Sequence, residues 1–459
     1  MSIAELYEIF RAHPVITTDT RQCPKGSIFF ALKGERFNGN AFALQALEAG
    51  CAYAVVDEDP PLSPTLKGGE WNGKGVGKEG RLIKVDDVLK TLQELAHYHR
   101  KQFRGPVIQV TGTNGKTTTK ELMAAVLGEK WHVTFTQGNL NNHIGVPRTL
   151  LTLPFSSEEN EIAVIETGAN HPGEIAFLCD IVDPDCGLIT NVGRAHLEGF
   201  GSFEGVIATK TELYACLRRK KDGFIFLHGD NEHLVPKAEG LKSIRYGSEG
   251  HGYCVEGEVV ECNPFVKMRW RSKDEADWHE VQTQLIGAYN IDNMLAAAAV
   301  GLHFGVAPEQ VDHALGHYAP HLGRSELKRT ERNTLIVDAY NANLTSMTAA
   351  LDNFRQIPAA HKMAVLGEMR ELGAASAEAH RQVMEMALTL GLERLWLVGE
   401  EMSKLANEQI SKLTNVTEVR FFHDVEEVKA ELADTPLTDF LILIKGSNGT
   451  HLYELPEYM

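Results

Sequence analysis

A chain of 459 residues, 43% apolar and 23% charged, is too long for one ordinary hydrophobic core and should divide into about three domains. Its formal net charge of −17 excludes a broad basic face and with it a nucleic-acid partner, so anionic ligands must be met by local cations or metal ions. The 7 cysteines are scattered, odd in number and without a C-x-x-C pair, which favours reduced, mostly buried thiols in a cytoplasmic protein over zinc or disulfides.

The N-terminal MSIAELYEIFRAHP reads as an amphipathic helix and lacks a signal peptide's apolar run. Short strands at Ile28–Leu32 and Tyr53–Val56 flank a helical pattern at Phe42–Ala49. The Pro-, Gly- and Lys-rich stretch Pro60–Gly80 reads as a mobile loop. These elements compose a small α/β domain over residues 1–86.

From Leu89–Phe103, a helix candidate, the chain changes to longer α/β units. The segment VIQVTGTNGKTTTK at Val107–Lys120 is the most informative in the sequence. A β-branched run leads into Gly112, Thr113, Asn114 and Gly115, whose backbone can converge on an anion. Lys116 adds a cation, and a helix expected to open at Thr117 turns its positive end to the same phosphates, with Thr118 in its first turn. A hydroxyl directly after the lysine suits Mg²⁺. Val110 replaces the first glycine of the strict phosphate-binding loop, so this is a shortened variant. It predicts ATP or GTP binding.

Further strands are expected at Val133–Thr136, Ile162–Glu166, Gly187–Thr190 and Phe224–Leu227, with helices between several of them, as in a parallel sheet. Between the first two lies QGNLNNHIGVP, whose Asn139, Asn141 and Asn142 suit either a polar ligand or turn backbone. Glu166, at a strand's C-terminal end, suits Mg²⁺ on a nucleotide or plain solvent exposure. His196 in NVGRAHLE, after another strand end, suits a second cation or a plain structural or exposed place, and Lys210, in the helical stretch Phe203–Arg218, reads alone as a surface charge. Tyr253–Leu285 alternates like an antiparallel edge sheet, and Asn290–Phe304 is helical. No apolar run approaches a membrane span; Met294–Leu302 is far too short.

A third block, residues 319–459, repeats strand–helix units with strands at Thr334–Asp338, Lys362–Leu366, Leu395–Val398, Val419–Phe422 and Phe440–Ile444. It is expected to be a Rossmann-like doubly wound domain with its binding crevice at the strand C-termini. The crevice would be lined by LGRSE with Arg324, by DAYNAN with Asp338, Asn341 and Asn343, and by KGSNG with Lys445. A guanidinium at such a junction can clamp a phosphate through two donors.

Taken together, TDTR at Thr18–Arg21, IFFALKGERFNGN, TGTNGKTTT, GNLNNHIGVP, ETGANHPGEI, NVGRAHLEGFGSFEGV, GAYNIDN, DAYNAN, LGEMRELG and KGSNG resemble, in order and over nearly the whole chain, the Mur ligase superfamily. The resemblance implies a three-domain α/β fold: a UDP-MurNAc-peptide-binding domain over 1–86, a central ATP-binding domain with a small antiparallel sheet over 87–318, and the Rossmann-like domain over 319–459. DAYNAN and LGEMRELG point to the branch that adds D-alanyl-D-alanine to a UDP-MurNAc-tripeptide through an acyl phosphate, giving the pentapeptide precursor of peptidoglycan. A relative with another acceptor is the alternative within the superfamily. A nucleotide-dependent switch is the alternative outside it, and a separate N-terminal substrate block speaks against that.

Carried over by position, the resemblance assigns ATP phosphates to Gly112–Thr118, with Lys116 balancing charge. It assigns adenine to Asn290 and Asn293, and further nucleotide contacts to Arg324 and Asp338. Two magnesium ions would be held by Thr117 with Glu166 and by His196 with Lys210, the latter carbamylated. Thr20 and Arg21 would meet the uridine nucleotide; Asn139, Asn141, Asn142, Asn341, Asn343 and Lys445 are further substrate contacts. The protein is expected to act as a cytoplasmic monomer. The sequence departs from the family pattern at Asn38–Asn40, Tyr289, Leu344 and Asn448.

Overall fold

The computed structural model of the protein describes residues 1–35, 37–60, 81–155, 160–320, 323–405 and 416–459. Most of the expected Pro60–Gly80 loop, and Leu322 of LGRSE, lie outside them. The described chain divides into two compact units. The first comprises residues 1–109, 131–168 and 175–186; the second comprises 110–130, 169–174 and 187–459.

The first unit opens with the helix Ile3–Ala12, closed at its start by a capping box between Ser2 and Glu5 and turning Leu6, Tyr7 and Phe10 inward. Strands Ile16–Thr17, Ile28–Phe30, Tyr53–Val56 and Leu82–Lys84 form a four-stranded sheet in that order, parallel throughout. The helix Val88–Gln102 is capped by the Asp87 side chain and buries Leu92, Leu95 and Ala96. Those side chains share one core with Leu6, Phe10, Ile28 and Phe30. In the same unit, His132–Phe135 pairs in parallel with Glu161–Glu166.

In the second unit Phe224–His228 pairs in parallel with Lys242–Gly247, which continues into Val255–Cys262. From there Phe265–Ser272 and His279–Ile286 run antiparallel, as the alternation predicts. Every second residue of FVKMRWRS is buried. The expected single helix over Phe203–Arg218 is two, Phe203–Lys210 and Glu212–Arg218, separated at Thr211. The Thr211 hydroxyl donates back to the carbonyls of Ile207 (2.8 Å) and Ala208 (3.1 Å), the local competition that bends helices at threonine.

The C-terminal segment of this unit is a six-stranded sheet. Its order is Glu326–Arg329, Thr334–Asp338, Phe440–Lys445, His361–Gly367, Arg394–Val398 and Glu418–Phe422. All neighbours are parallel except the first pair. Side chains alternate between two cores: Ile336, Ala364 and Leu443 meet the helices Leu344–Gln356 and Ser376–Leu388 on one face, and Val337, Val365 and Ile444 meet Val425–Asp434 on the other. This is the doubly wound arrangement expected of alternating strands and helices. Among the described residues no helix is long and apolar enough to cross a membrane.

Candidate active site

The strand Val107–Thr111 is buried along its length and runs into Gly112. Gly112 has φ 146°, and a Cβ there would lie 2.0 Å from Thr190 Oγ1. Gly115, at φ 76°, opens the helix Lys116–Gly128, and its Cβ would lie 2.7 Å from Asn293 Oδ1. Only glycine meets both demands at either position. The helix begins at Lys116, one residue before the expected start, with Thr117 buried and Thr118 half-buried in its first turn.

The turn is clasped by the segment Thr190–Gly193. The Thr113 N–H donates to the Asn191 carbonyl (3.0 Å), and Gly193 N–H donates to Thr113 Oγ1 (3.0 Å). The Asn191 side chain takes the Asn114 N–H (3.0 Å) and returns its own amide to the Asn114 carbonyl (3.0 Å), which also accepts from Thr190 Oγ1 (2.6 Å). Lys116 folds back, its Nζ donating to the carbonyls of Gly112 (2.9 Å) and Thr113 (3.0 Å). The result is a stiff anion cradle with a cation and a helix N-terminus at one place. Asn293 accepts from Thr119 of the helix (2.9 Å) and donates to Asn290 (2.9 Å), which in turn donates to the Ile286 carbonyl (2.9 Å). The two amides thus hold each other beside the cradle's helix.

His196 and Lys210 belong to the same unit. His196 stands at φ 51° before the short helix Leu197–Phe200, and its Nδ1 meets a carboxylate oxygen of Glu371. Burial lowers its pKa, Glu371 opposes that, and the charges of Lys116 and Lys210 lower it further. Lys210 is 2% exposed, with Nζ 3.2 Å from the Ala169 carbonyl and 5.3 Å over the Phe200 ring. Burial, then Lys116, brings its pKa down to about 7, against the pull of Glu174 and Glu212. A surface charge is ruled out here: the amine is desolvated and much of it is neutral near pH 7.

The C-terminal sheet contributes its strand ends. Asp338 and Lys445 are register partners whose Oδ2 and Nζ lie 2.5 Å apart, with Nζ also 3.4 Å from the Asn341 carbonyl. The Asn341 side chain accepts from Ala342 N–H (2.9 Å), closing its own turn. Asn343 caps the helix Leu344–Gln356, accepting from Ser346 N–H (2.9 Å), and donates to Asn114 Oδ1 of the cradle (2.7 Å). Leu344 is the first residue of that helix. Arg324 stacks on Tyr340, 3.7 Å from the ring centroid, and its buried Nε has no hydrogen-bond partner among the described residues. A buried donor left open in this way suits an anionic ligand. Tyr289 bonds Ser325, next to that arginine (2.7 Å).

The remaining candidates lie in the first unit. Glu166 ends its strand at 1% exposure; its Oε1 accepts from Asn141 (2.8 Å), and its backbone N–H donates to Thr136 Oγ1 (2.9 Å). Asn142 caps the turn before Gly145, accepting from Ile144 and Gly145 N–H groups, while Asn139 is exposed. Thr20 and Arg21 lie on the segment after Ile16–Thr17. Arg21 grips Asp19 with two parallel hydrogen bonds (2.9 and 2.7 Å) and holds that carboxyl down to about 2. Asn40 of the NGN segment is buried, bonded to Asn38 and Asp57.

Among the described residues no three His, Cys, Asp or Glu side chains gather as a ready metal cage. Magnesium seldom uses one; it takes one or two protein oxygens and completes its shell with phosphate and water. The Thr117 hydroxyl, buried at the cradle, is an oxygen of that sparing kind. Three features escaped the sequence reading: the Thr190–Asn191 clasp, Glu371 against His196, and Tyr340 beneath Arg324.

Three family patterns match the chain: the Mur ligase family catalytic domain over residues 14–100, the Mur ligase middle domain over 110–301, and the Mur ligase glutamate ligase domain over 323–448. The chain is similar to the UDP-N-acetylmuramoyl-tripeptide–D-alanyl-D-alanine ligase of Bacillus subtilis (strain 168), with 34% identity covering 96% of this chain and 92% of that one. The crystal structure of MurF from Acinetobacter baumannii superposes with a TM-score of 0.80 at 29% identity, covering 96% and 92% of the two chains. MurF ligase from Thermotoga maritima in complex with ADP gives 0.77 at 25%, covering 97% and 96%.

Proposed function

The chain belongs to the Mur ligase family, and we propose that it joins D-alanyl-D-alanine to the terminal carboxylate of a UDP-N-acetylmuramoyl-tripeptide, at the expense of ATP. The product is the UDP-MurNAc-pentapeptide precursor of peptidoglycan. The observation that carries this reading is the meeting, in one unit, of the phosphate cradle with two C-terminal motifs. Asn343 of DAYNAN bonds Asn114, and Glu371 of LGEMRELG bonds His196. A protein that only binds nucleotide has no need of a second set of polar strand ends at its phosphate site; a ligase must bring a second substrate there.

A carboxylate oxygen is a very poor leaving group, and phosphorylation removes that obstacle. The tripeptide carboxylate attacks the γ-phosphorus of ATP, forming an acyl phosphate and releasing ADP. The amine of the dipeptide then adds to the acyl carbon, loses a proton, and the tetrahedral intermediate expels phosphate as the amide forms. The backbone of Gly112–Thr118 and the Lys116 ammonium hold the phosphates and offset charge that spreads over the transferring group. Arg324, held over the Tyr340 ring, supplies its open Nε and a planar fork to the same chemistry. Asn290 and Asn293 are proposed for adenine, and Thr20 and Arg21 for the uridine end.

Magnesium, when bound, would neutralise phosphate charge and polarise the transferring group. Thr117 is proposed as one ligand, Glu166 as a carboxylate ligand, and His196 with Lys210 as a further pair. A cationic lysine cannot ligate a cation. The pKa of about 7 leaves Nζ free to add to carbon dioxide, releasing a proton and giving a carbamate oxygen that can. The three matched segments support three domains, for substrate, ATP and a Rossmann-like fold, with the second division near residue 318; the first match runs past residue 86 to residue 100.

Labelling tests the chemistry. With ¹⁸O in the terminal carboxylate of the tripeptide, the acyl-phosphate route transfers one ¹⁸O into inorganic phosphate. Label that remains wholly in the peptide or in water would overturn it.

A further inference from the structure

The loop Glu368–Gly373 carries the Glu371 carboxylate, one oxygen of which meets His196. Met369 N–H donates to His380 Nε2 (2.8 Å), Arg370 N–H to Ser447 Oγ (3.2 Å), and Arg370 Nη2 to the Gly449 carbonyl (2.9 Å). The return bond runs from Ser447 N–H to the Glu368 carbonyl (3.2 Å). LGEMRELG and KGSNG, far apart in sequence, therefore make one braced structure at the ends of adjacent parallel strands. From this brace Glu371 projects at φ 62°, a left-handed conformation that an unbranched acidic residue adopts only at a cost. Such outliers persist where the surroundings impose them, and they concentrate at functional sites.

What the conformation achieves is placement. Glu371 Oε2 meets His196 Nδ1, and His196 lies within the field of both Lys116 and Lys210. The side chain is 53% exposed, and its second oxygen, Oε1, has no hydrogen-bond partner among the described residues. The carboxylate is held at the rim of the phosphate chemistry with one oxygen anchored and one open to solvent. Set against the Lys116 cation and the N–H donors that meet phosphate, an open carboxylate oxygen attracts a positively charged ligand.

We propose that Glu371 binds the ammonium of the acceptor dipeptide through Oε1, while Oε2 stays anchored on His196. The assignment rests on the ligase reading above. It makes Glu371 a binding residue for the acceptor before the amine is deprotonated, and it gives the site a reason to select a free amino terminus. A neutral or anionic group at that end of the acceptor finds no partner there.

The test is steady-state pentapeptide synthesis by the full chain and its Glu371→Gln and Glu371→Asp variants, with desamino N-propionyl-D-alanine as a competitive inhibitor. Losing a charge-assisted hydrogen bond to an ammonium should raise the KM for D-alanyl-D-alanine about 10- to 100-fold in Glu371→Gln. The KM for ATP and for the tripeptide should stay within about twofold, and Glu371→Asp should fall between. Inhibition by the desamino compound should be equal in wild type and Glu371→Gln, since it lacks the ammonium. A purely structural role would instead move all KM values together or weaken the desamino compound in parallel, and either result overturns the proposal. Should the wild-type chain make no pentapeptide at all, the ligase reading fails first, and this assignment falls with it.

Discussion

Replacing Asn191 by alanine isolates the clasp that shapes the phosphate cradle. The substitution removes two hydrogen bonds, both to the backbone of Asn114: one received from its N–H and one given to its carbonyl, each 3.0 Å. At about 0.5–1.5 kcal/mol net per bond, the loss is about 1–3 kcal/mol of preference for the bound loop geometry. The carbonyl keeps Thr190 Oγ1 at 2.6 Å, and the Asn191 backbone still accepts from Thr113. The orphaned partner is therefore the Asn114 N–H, one of the donors that make the anion nest. The KM for ATP should rise about 5- to 100-fold, with the melting temperature falling by only a few degrees. Adding Thr190→Val should cost less than the sum of the two single effects, because both groups serve one carbonyl. Nucleotide titration by calorimetry alongside initial rates is the assay. An unchanged KM for ATP accompanied by a large loss of stability would refute the argument, since it would make the clasp a folding device.

Four other outcomes follow from the same geometry. Gly112→Ala places a Cβ 2.0 Å from Thr190 Oγ1 at φ 146°; it should abolish detectable ATP turnover, and full activity would mean that the turn yields freely. Arg324→Ala should lower kcat by about 100-fold or more, as expected for a transition-state charge partner, while thermal unfolding shifts by only a few degrees. Asp338→Ala leaves Lys445, at 1% exposure, as an uncompensated buried ammonium. It should cost about 3–5 kcal/mol in denaturant unfolding, and a near-neutral result would contradict that pairing. Carbon-13 NMR with labelled bicarbonate should show a carbamate resonance that Lys210→Met removes; identical spectra would exclude the modification.

The phosphate cradle was legible because its chemistry is local: strand, two glycines, lysine and helix lie within a dozen residues, and each imposes a residue type. Parallel strands were legible as β-branched runs, and the edge sheet as alternation, since burial on one face or two leaves those periods. The helix Pro308–His317 carried a readable signal, Pro at its first position followed by Glu309, that the sequence reading passed over. The edge strand Glu326–Arg329, a polar ELKR, carried none, because an edge strand's outer face is wet. Partners across sequence were out of reach. Nothing in NVGRAHLE distinguishes an asparagine that clasps a turn 77 residues away from one that faces water. The sequence of Lys210 does not reveal its desolvation; only packing against Phe200 and the Ala169 carbonyl does. Likewise, LGEMRELG was singled out as a motif, but the left-handed turn that aims Glu371 is set by its brace to Ser447 and Gly449.

The most direct test of the central claim is ATP-dependent phosphate release with UDP-MurNAc-tripeptide, with and without D-alanyl-D-alanine, with the nucleotide peptide weighed by mass spectrometry. Sustained release that requires both substrates, with UDP-MurNAc-pentapeptide appearing in step with phosphate, is the predicted result. Phosphate released at the same rate without the dipeptide, and no pentapeptide, would contradict it.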